Sequence, residues 1–99
     1  MARRPNTDRH GNPWNEFIKT AVWAKGKIIP GFNVSLYRKD CCGTLIYKPH
    51  YGNRNKNDGW EIDHINPVAN NGDDDINNLQ PLNWKNNAKK GNRTDWNCD

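Results

Sequence analysis

The chain has no long apolar run, and its 99 residues include only one methionine, two phenylalanines and three cysteines. Its basic start, Met1-Ala2-Arg3-Arg4-Pro5, leads into polar sequence. Neither a secretory leader nor a membrane span is therefore expected, and a cytoplasmic location is; export by a route that needs no signal stays open. The cysteine count is odd and Cys41 and Cys42 are neighbours, which does not make a disulfide framework, so reduced thiols are the expected state. Only 33% of residues are hydrophobic and the mean hydropathy is −1.16, so aliphatic layers are scarce. A chain of this length forms one domain with a thin core, and its five tryptophans should carry much of the burial.

Acidic charge is the minority sign. Lys and Arg outnumber Asp and Glu by 15 to 11, for a net charge of +4 and a pI of about 9.1. That excess favours a polyanionic partner without proving one. Its distribution is more informative: the run from Lys85 to Arg93 holds four cations and no acid, whereas Asp73, Asp74 and Asp75 cluster just upstream. These three acids read as a solvated turn, because the glutamate and ligand alternation of a calcium loop are missing.

Residues 1–11 lack periodicity and are expected as a flexible basic arm, followed by a single domain over 12–99. Asn12 can cap a helix and Pro13 suits its first position, with Trp14, Phe17, Ile18, Ala21 and Val22 at helical spacing and Gly26 as a stop. This first helix is expected in the core. Residues 28–40 contain the turn signal Pro30-Gly31 and allow a second short helix or a loop. Thr44–Tyr47 reads as a short strand, and 49–59 as a long polar loop. The last forty residues order as strand, loop, strand and helix: Trp60–Ile65, 70–77, Leu79–Leu82, then a helix capped by Asn83 and stopped by Gly91. The fold class is α+β.

The chemistry concentrates in this last stretch. Asp63 and His64 are followed by Asn78, fourteen residues after the histidine, and by Asn87, nine further on. With the flanking Trp60-Glu61-Ile62-Asp63-His64-Ile65-Asn66-Pro67 and Asn78-Leu79-Gln80-Pro81-Leu82, residues 59–91 resemble the HNH endonuclease family, or ββα-metal motif, in its H-N-N variant and as a small stand-alone bacterial or phage member. Arg38–Gly43 resembles the approach to that motif more loosely.

The resemblance implies a metal-dependent endonuclease hydrolysing DNA, taken as double-stranded. His64 would be the general base, since a neutral imidazole with a reference pKa of about 6.5 can accept a proton at neutral pH. Asp63 and Asn87 would hold one divalent ion, and Asn78 would tie the loop between the strands. Family members often have histidine where this chain has Asn87; an amide oxygen there should favour Mg²⁺ or Mn²⁺ over zinc or nickel. Helix geometry alone would also allow Asn83, one turn earlier. Asp63 and His64 can address one phosphate only where the strand ends, twists or bulges, since neighbours on a strand face opposite ways.

Lys85, Lys89, Lys90 and Arg93 are the expected phosphate contacts, and Trp84 is expected to pack in the core rather than stack on a base. Many members hold a structural zinc through two Cys-x-x-Cys pairs; this chain has neither pair, so no structural zinc is expected. His10 and His50 read as incidental. The competing functions are a catalytically silent DNA-binding module and an antibacterial nuclease toxin. Lacking a recognition motif, the protein is expected to have weak specificity, or specificity supplied by a protein partner.

Overall fold

The computed structural model describes residues 3–98 and is α+β, in the order α1 (Glu16–Trp23), β1 (Tyr37–Lys39), β2 (Leu45–Tyr47), β3 (Trp60–His64), β4 (Leu79–Asn83) and α2 (Trp84–Lys90). Short 3-10 turns fall at Lys48–His50, Val68–Asn70 and Ile76–Asn78. Strand β1 pairs with β2 and β3 with β4, both antiparallel, and the second pair sets Asp63 opposite Gln80 and His64 opposite Leu79.

All five residues of β3 are buried. Its two faces serve different layers because side chains alternate along a strand. Trp60 and Ile62 enter the apolar core with Val22, Trp23, Ile46 and Leu79. Trp60 is the hub: its ring lies 5.1 Å from that of Trp23 and 4.9 Å from that of Tyr51, while its Nε1 donates to Lys48 O at 3.1 Å. Of the five tryptophans, Trp14, Trp23 and Trp60 are buried, so aromatic mass does replace aliphatic layers. Glu61 and Asp63 occupy the other face, beneath α2.

The start of α2 is set by Asn83, whose side chain accepts from Lys85 N, and its end by Gly91 at φ 55°. Asn87 and Lys90, three apart and so on one helical face, overlie Glu61 and Asp63, two apart on one strand face.

Several expectations are corrected. Helix α1 begins at Glu16, capped by Asn15 accepting from Ile18 N at 2.8 Å; Pro13 is instead bridged to Thr7, and Trp14 turns inward against His64. Phe17 is 79% exposed, so the apolar face of α1 is narrower than the spacing implied. Within 28–40 the chain makes a turn at Pro30-Gly31 and then strand β1, not a second helix. Within the segment expected as a flexible arm, Asn6 Oδ1 accepts from Ile62 N at 2.8 Å and from Tyr51 Oη at 3.0 Å, which caps one backbone N–H of β3. Met1 and Ala2 lie outside the described residues.

The expectation of three reduced thiols is also corrected. Cys42 and Cys98 form a disulfide with Cα atoms 5.4 Å apart, which ties the C-terminal segment to the β1–β2 turn; Cys41 is free and exposed. The pairing was invisible in sequence because its partners are 56 residues apart. Among the described residues no helix is long and apolar enough to cross a membrane.

Candidate active site

Asp63, His64 and Asn87 line one cleft of about 350 Å³ between the end of β3 and α2, with Arg3, Arg54 and Gly91 on its rim. The opposed directions of Asp63 and His64 are reconciled by position: His64 is the last residue of β3, where the strand gives way to the turn containing Pro67. Asn83, the alternative on helical spacing, is fully buried and donates through Nδ2 to Leu45 O and Asn57 O, so it does not reach the cleft.

His64 is 3% exposed and lies against Trp14, with ring centroids 5.5 Å apart. Its Nε2 is 2.8 Å from Asp74 Oδ1. A carboxylate only accepts hydrogen bonds, so Nε2 carries the proton and Nδ1 is the basic nitrogen. Nδ1 has no protein partner among the described residues, and it is not sealed: the one buried side-chain polar atom there without a partner is Trp14 Nε1. Asp74 is itself held, accepting from Arg9 N at 3.1 and 3.3 Å through its two oxygens. The triple-aspartate turn is therefore more than a solvated loop. Sequence spacing carries no signal for Asp74, because a ten-residue excursion separates it from His64 and its own loop decides whether it returns.

That loop is braced by Asn78. Its Oδ1 accepts from Asn66 N at 2.8 Å, and its Nδ2 donates to Asn66 O at 3.1 Å and Asp73 O at 2.9 Å. Gly72 supplies the close approach the loop needs, since a Cβ there would lie 1.7 Å from Asn66 O. Removing the Asp74 carboxylate with Asp74→Ala is expected to slow any reaction that uses His64 as base by roughly 10–100-fold, the equivalent of one charge-assisted hydrogen bond of about 1.5–3 kcal/mol. Single-turnover rates read this, and an unchanged rate would exclude the contact from catalysis.

Asp63 is 6% exposed. Burial pushes its pKa above the usual carboxylate value, against the pull of hydrogen bonds from Gln80 Nε2 at 2.9 Å to Oδ2 and Lys90 Nζ at 3.3 Å to Oδ1. Each oxygen thus has one protein donor and a further lone pair, and a nearby divalent cation would favour the ionised form that burial disfavours. Asn87 donates through Nδ2 to Glu61 Oε1 at 2.8 Å, which leaves its amide oxygen for another partner. A carboxylate and an amide oxygen beside a water-accessible cleft are hard donors, and they fit Mg²⁺ or Mn²⁺.

Lys90 is corrected as a phosphate contact. It is 3% exposed, with Nζ between Asp63 Oδ1 and His64 O at 2.9 Å, so it is an internal counter-charge that pins the end of β3 to α2. Lys85 is exposed and donates to Asn57 Oδ1 at 2.9 Å on a separate hollow that includes His50 and Lys56. Lys89 is exposed; the Arg93 guanidinium turns back onto Lys89 O and Lys90 O at the end of α2. Trp84 is half-buried, not core: its Nε1 donates to Lys56 O, and the Arg54 and Lys85 cations lie 5.7 and 5.8 Å from its ring. The cations on the cleft rim are instead Arg3 and Arg54.

Two strands, a connecting loop and a helix that bring an aspartate, a histidine and an asparagine to one cleft are the features that the family comparison addresses. Residues 49–93 match the model of the HNH endonuclease family. This segment is an HNH endonuclease domain. The match includes the turns before β3, and hence Arg54, as well as β3, β4 and α2. Neither a curated protein nor a solved structure matches the chain. HNH nucleases typically use divalent metal ions and act on DNA, so the family points to metal-dependent nuclease activity.

The turn before β2 is braced by a buried carboxylate. The Asp40 carboxylate, 1% exposed, accepts from Cys42 N and Thr44 N at 2.9 Å through Oδ1 and from Asn83 N and Asn86 Nδ2 at 2.9 Å through Oδ2. Cys41, Cys42 and Cys98 bring their sulfurs within 4.8 Å of one another, two of them joined as the disulfide.

Proposed function

We propose that the protein is a metal-dependent endonuclease that hydrolyses DNA phosphodiester bonds, with His64 as general base and one Mg²⁺ or Mn²⁺ held by Asp63 and Asn87. The observation that carries this reading is the meeting of Asp63, His64 and Asn87 on one cleft, with the basic nitrogen of His64 unpartnered.

In the reaction, a water in the cleft gives its proton to His64 Nδ1 as its oxygen attacks phosphorus; the bond from phosphorus to the 3′ oxygen breaks, and that oxygen leaves as a hydroxyl after taking a proton from solvent, with the 5′ side keeping the phosphate. The positive charge that develops on the imidazole is met by Asp74 at Nε2. Asn78 keeps the loop closed so that this partner stays in place. When bound, the divalent ion supplies positive charge to the phosphate oxygens that gain negative charge. Arg3 and Arg54 at the cleft attract the flanking backbone, with exposed Lys85 and Lys89 adding positive charge farther off, giving binding that weakens with salt.

Incubation with supercoiled plasmid and Mg²⁺ or Mn²⁺ tests the activity: nicking by the wild type supports it, and intact circles with every divalent ion would sink it. A catalytically silent module would instead bind DNA without turnover, and a toxin would kill cells that express it in a His64-dependent way. Ion binding has its own readout. At 100 times its dissociation constant, Mn²⁺ should stabilise the fold by about 2.7 kcal/mol, on the order of 10–20 °C in Tm for a domain of this size. Asp63→Ala should abolish that shift, and an equal shift in this variant would remove Asp63 from the ligand set.

A further inference from the structure

Glu61 is a buried carboxylate behind two residues of the cleft wall, Arg54 and Asn87, and the hydrolytic chemistry has no task for it. Its side chain is 4% exposed and accepts three hydrogen bonds: from Arg54 Nε at 2.7 Å to Oε2, from Arg54 Nη2 at 2.8 Å to Oε1, and from Asn87 Nδ2 at 2.8 Å to Oε1. A buried carboxylate without a counter-charge would be costly, and here the two-pronged Arg54 guanidinium, which only donates, engages both Glu61 oxygens. Both Glu61 oxygens are thus acceptors. The Asn87 amide must therefore turn its nitrogen toward Glu61 and its oxygen away, toward the cleft that Asn87 lines.

Left to itself, an asparagine amide interconverts between two orientations of nearly equal shape, one of which presents N–H groups where a cation should sit. We propose that Glu61 is a positioning residue that locks the Asn87 amide with its oxygen facing the divalent ion, and that Arg54 acts through Glu61 by holding its charge in place. Glu61 lies two residues before Asp63, on the same strand face, and Asn87 lies three before Lys90, on the same helix face. The two acid–helix contacts, Glu61 with Asn87 and Asp63 with Lys90, are thus parallel in geometry and divided in task. The inference rests on the proposal that Asn87 is a ligand.

The test is a swap of the pair, read by calorimetric titration with Mn²⁺ and by the melting temperature of the ion-free protein. In Glu61→Gln the amide at 61 can donate as well as accept, the lock is lost, and Mn²⁺ affinity should fall about 10–100-fold, as for other partners of metal ligands. Asn87→Asp alone sets two carboxylates against each other and should also bind weakly. Combining Glu61→Gln with Asn87→Asp restores an amide–carboxylate pair in reversed order, and affinity should return to within about tenfold of wild type. A residue with only a structural role would lower the melting temperature without this recovery. Wild-type affinity in Glu61→Gln, or a double variant no better than either single one, overturns the positioning role and leaves the nuclease reading intact. A wild-type chain that takes up no Mn²⁺ sinks both.

Discussion

Replacing His64 by alanine is expected to lower the rate of plasmid nicking by about 10²–10⁴-fold, the range over which a positioned general base contributes. The geometry makes the expectation specific. Nε2 is committed to Asp74, Trp14 backs the ring, and Nδ1 is the nitrogen left to take a proton. Because the side chain of His64 is packed rather than hydrogen-bonded to Asp63, the variant should still take up Mn²⁺ with near wild-type affinity; its losses should appear in turnover. Titration of the variant with Mn²⁺ beside a single-turnover nicking assay separates the two. A rate within threefold of wild type would remove His64 from the chemistry. The smaller loss expected for Asp74→Ala places that carboxylate behind the histidine rather than beside the substrate.

The largest expected effect on stability is at Asp40. Its two oxygens accept from four donors: the backbone N–H groups of Cys42, Thr44 and Asn83 and the amide of Asn86. Asp40→Ala strands the three backbone donors, that of fully buried Asn83 among them, and leaves Asn86 Nδ2 with Thr44 Oγ1 alone, at about 1–3 kcal/mol for each buried group left unpaired. A total of roughly 3–5 kcal/mol is a large part of the 5–15 kcal/mol that holds a typical domain together. Melting should fall by about 15 °C or more. The consequence reaches the cleft, since Asn83 opens α2 and α2 carries Asn87 and Lys90. Thermal unfolding followed by circular dichroism checks this. A loss below about 1 kcal/mol would mean that the disulfide between Cys42 and Cys98, which leaves the same turn, holds it without the carboxylate.

The buried acidic side chains of this domain each reach a partner on another element. Glu61 meets Arg54, Asp63 meets Lys90 and Asp40 meets amide donors from α2, so the acidic side chains of a thin core hold α2 onto the two hairpins where apolar layers are few. This arrangement explains why Lys90, exposed on a helical-wheel view, is sealed: its partner stands on the strand face beneath it. It also explains why the basic count of α2 overstates the charge offered to DNA.

What the sequence determined by itself was local. Strand, loop, strand and helix followed from alternation, from Asn83 as a cap and from Gly91 as a stop, because those signals act within a few residues. Asp63, His64, Asn78 and Asn87, with the residues that flank them, carried the resemblance to the HNH family. Only the tertiary structure decided the partners. Asp74 returns to His64 over 10 residues, Asn87 to Glu61 over 26, Lys90 to Asp63 over 27, Asn83 to Asp40 over 43, and Cys98 to Cys42 over 56. No periodicity encodes such contacts. They form because packing β3 between the apolar core and α2 withdraws its acids and histidine from water, and each must then find a donor or a counter-charge wherever the fold delivers one.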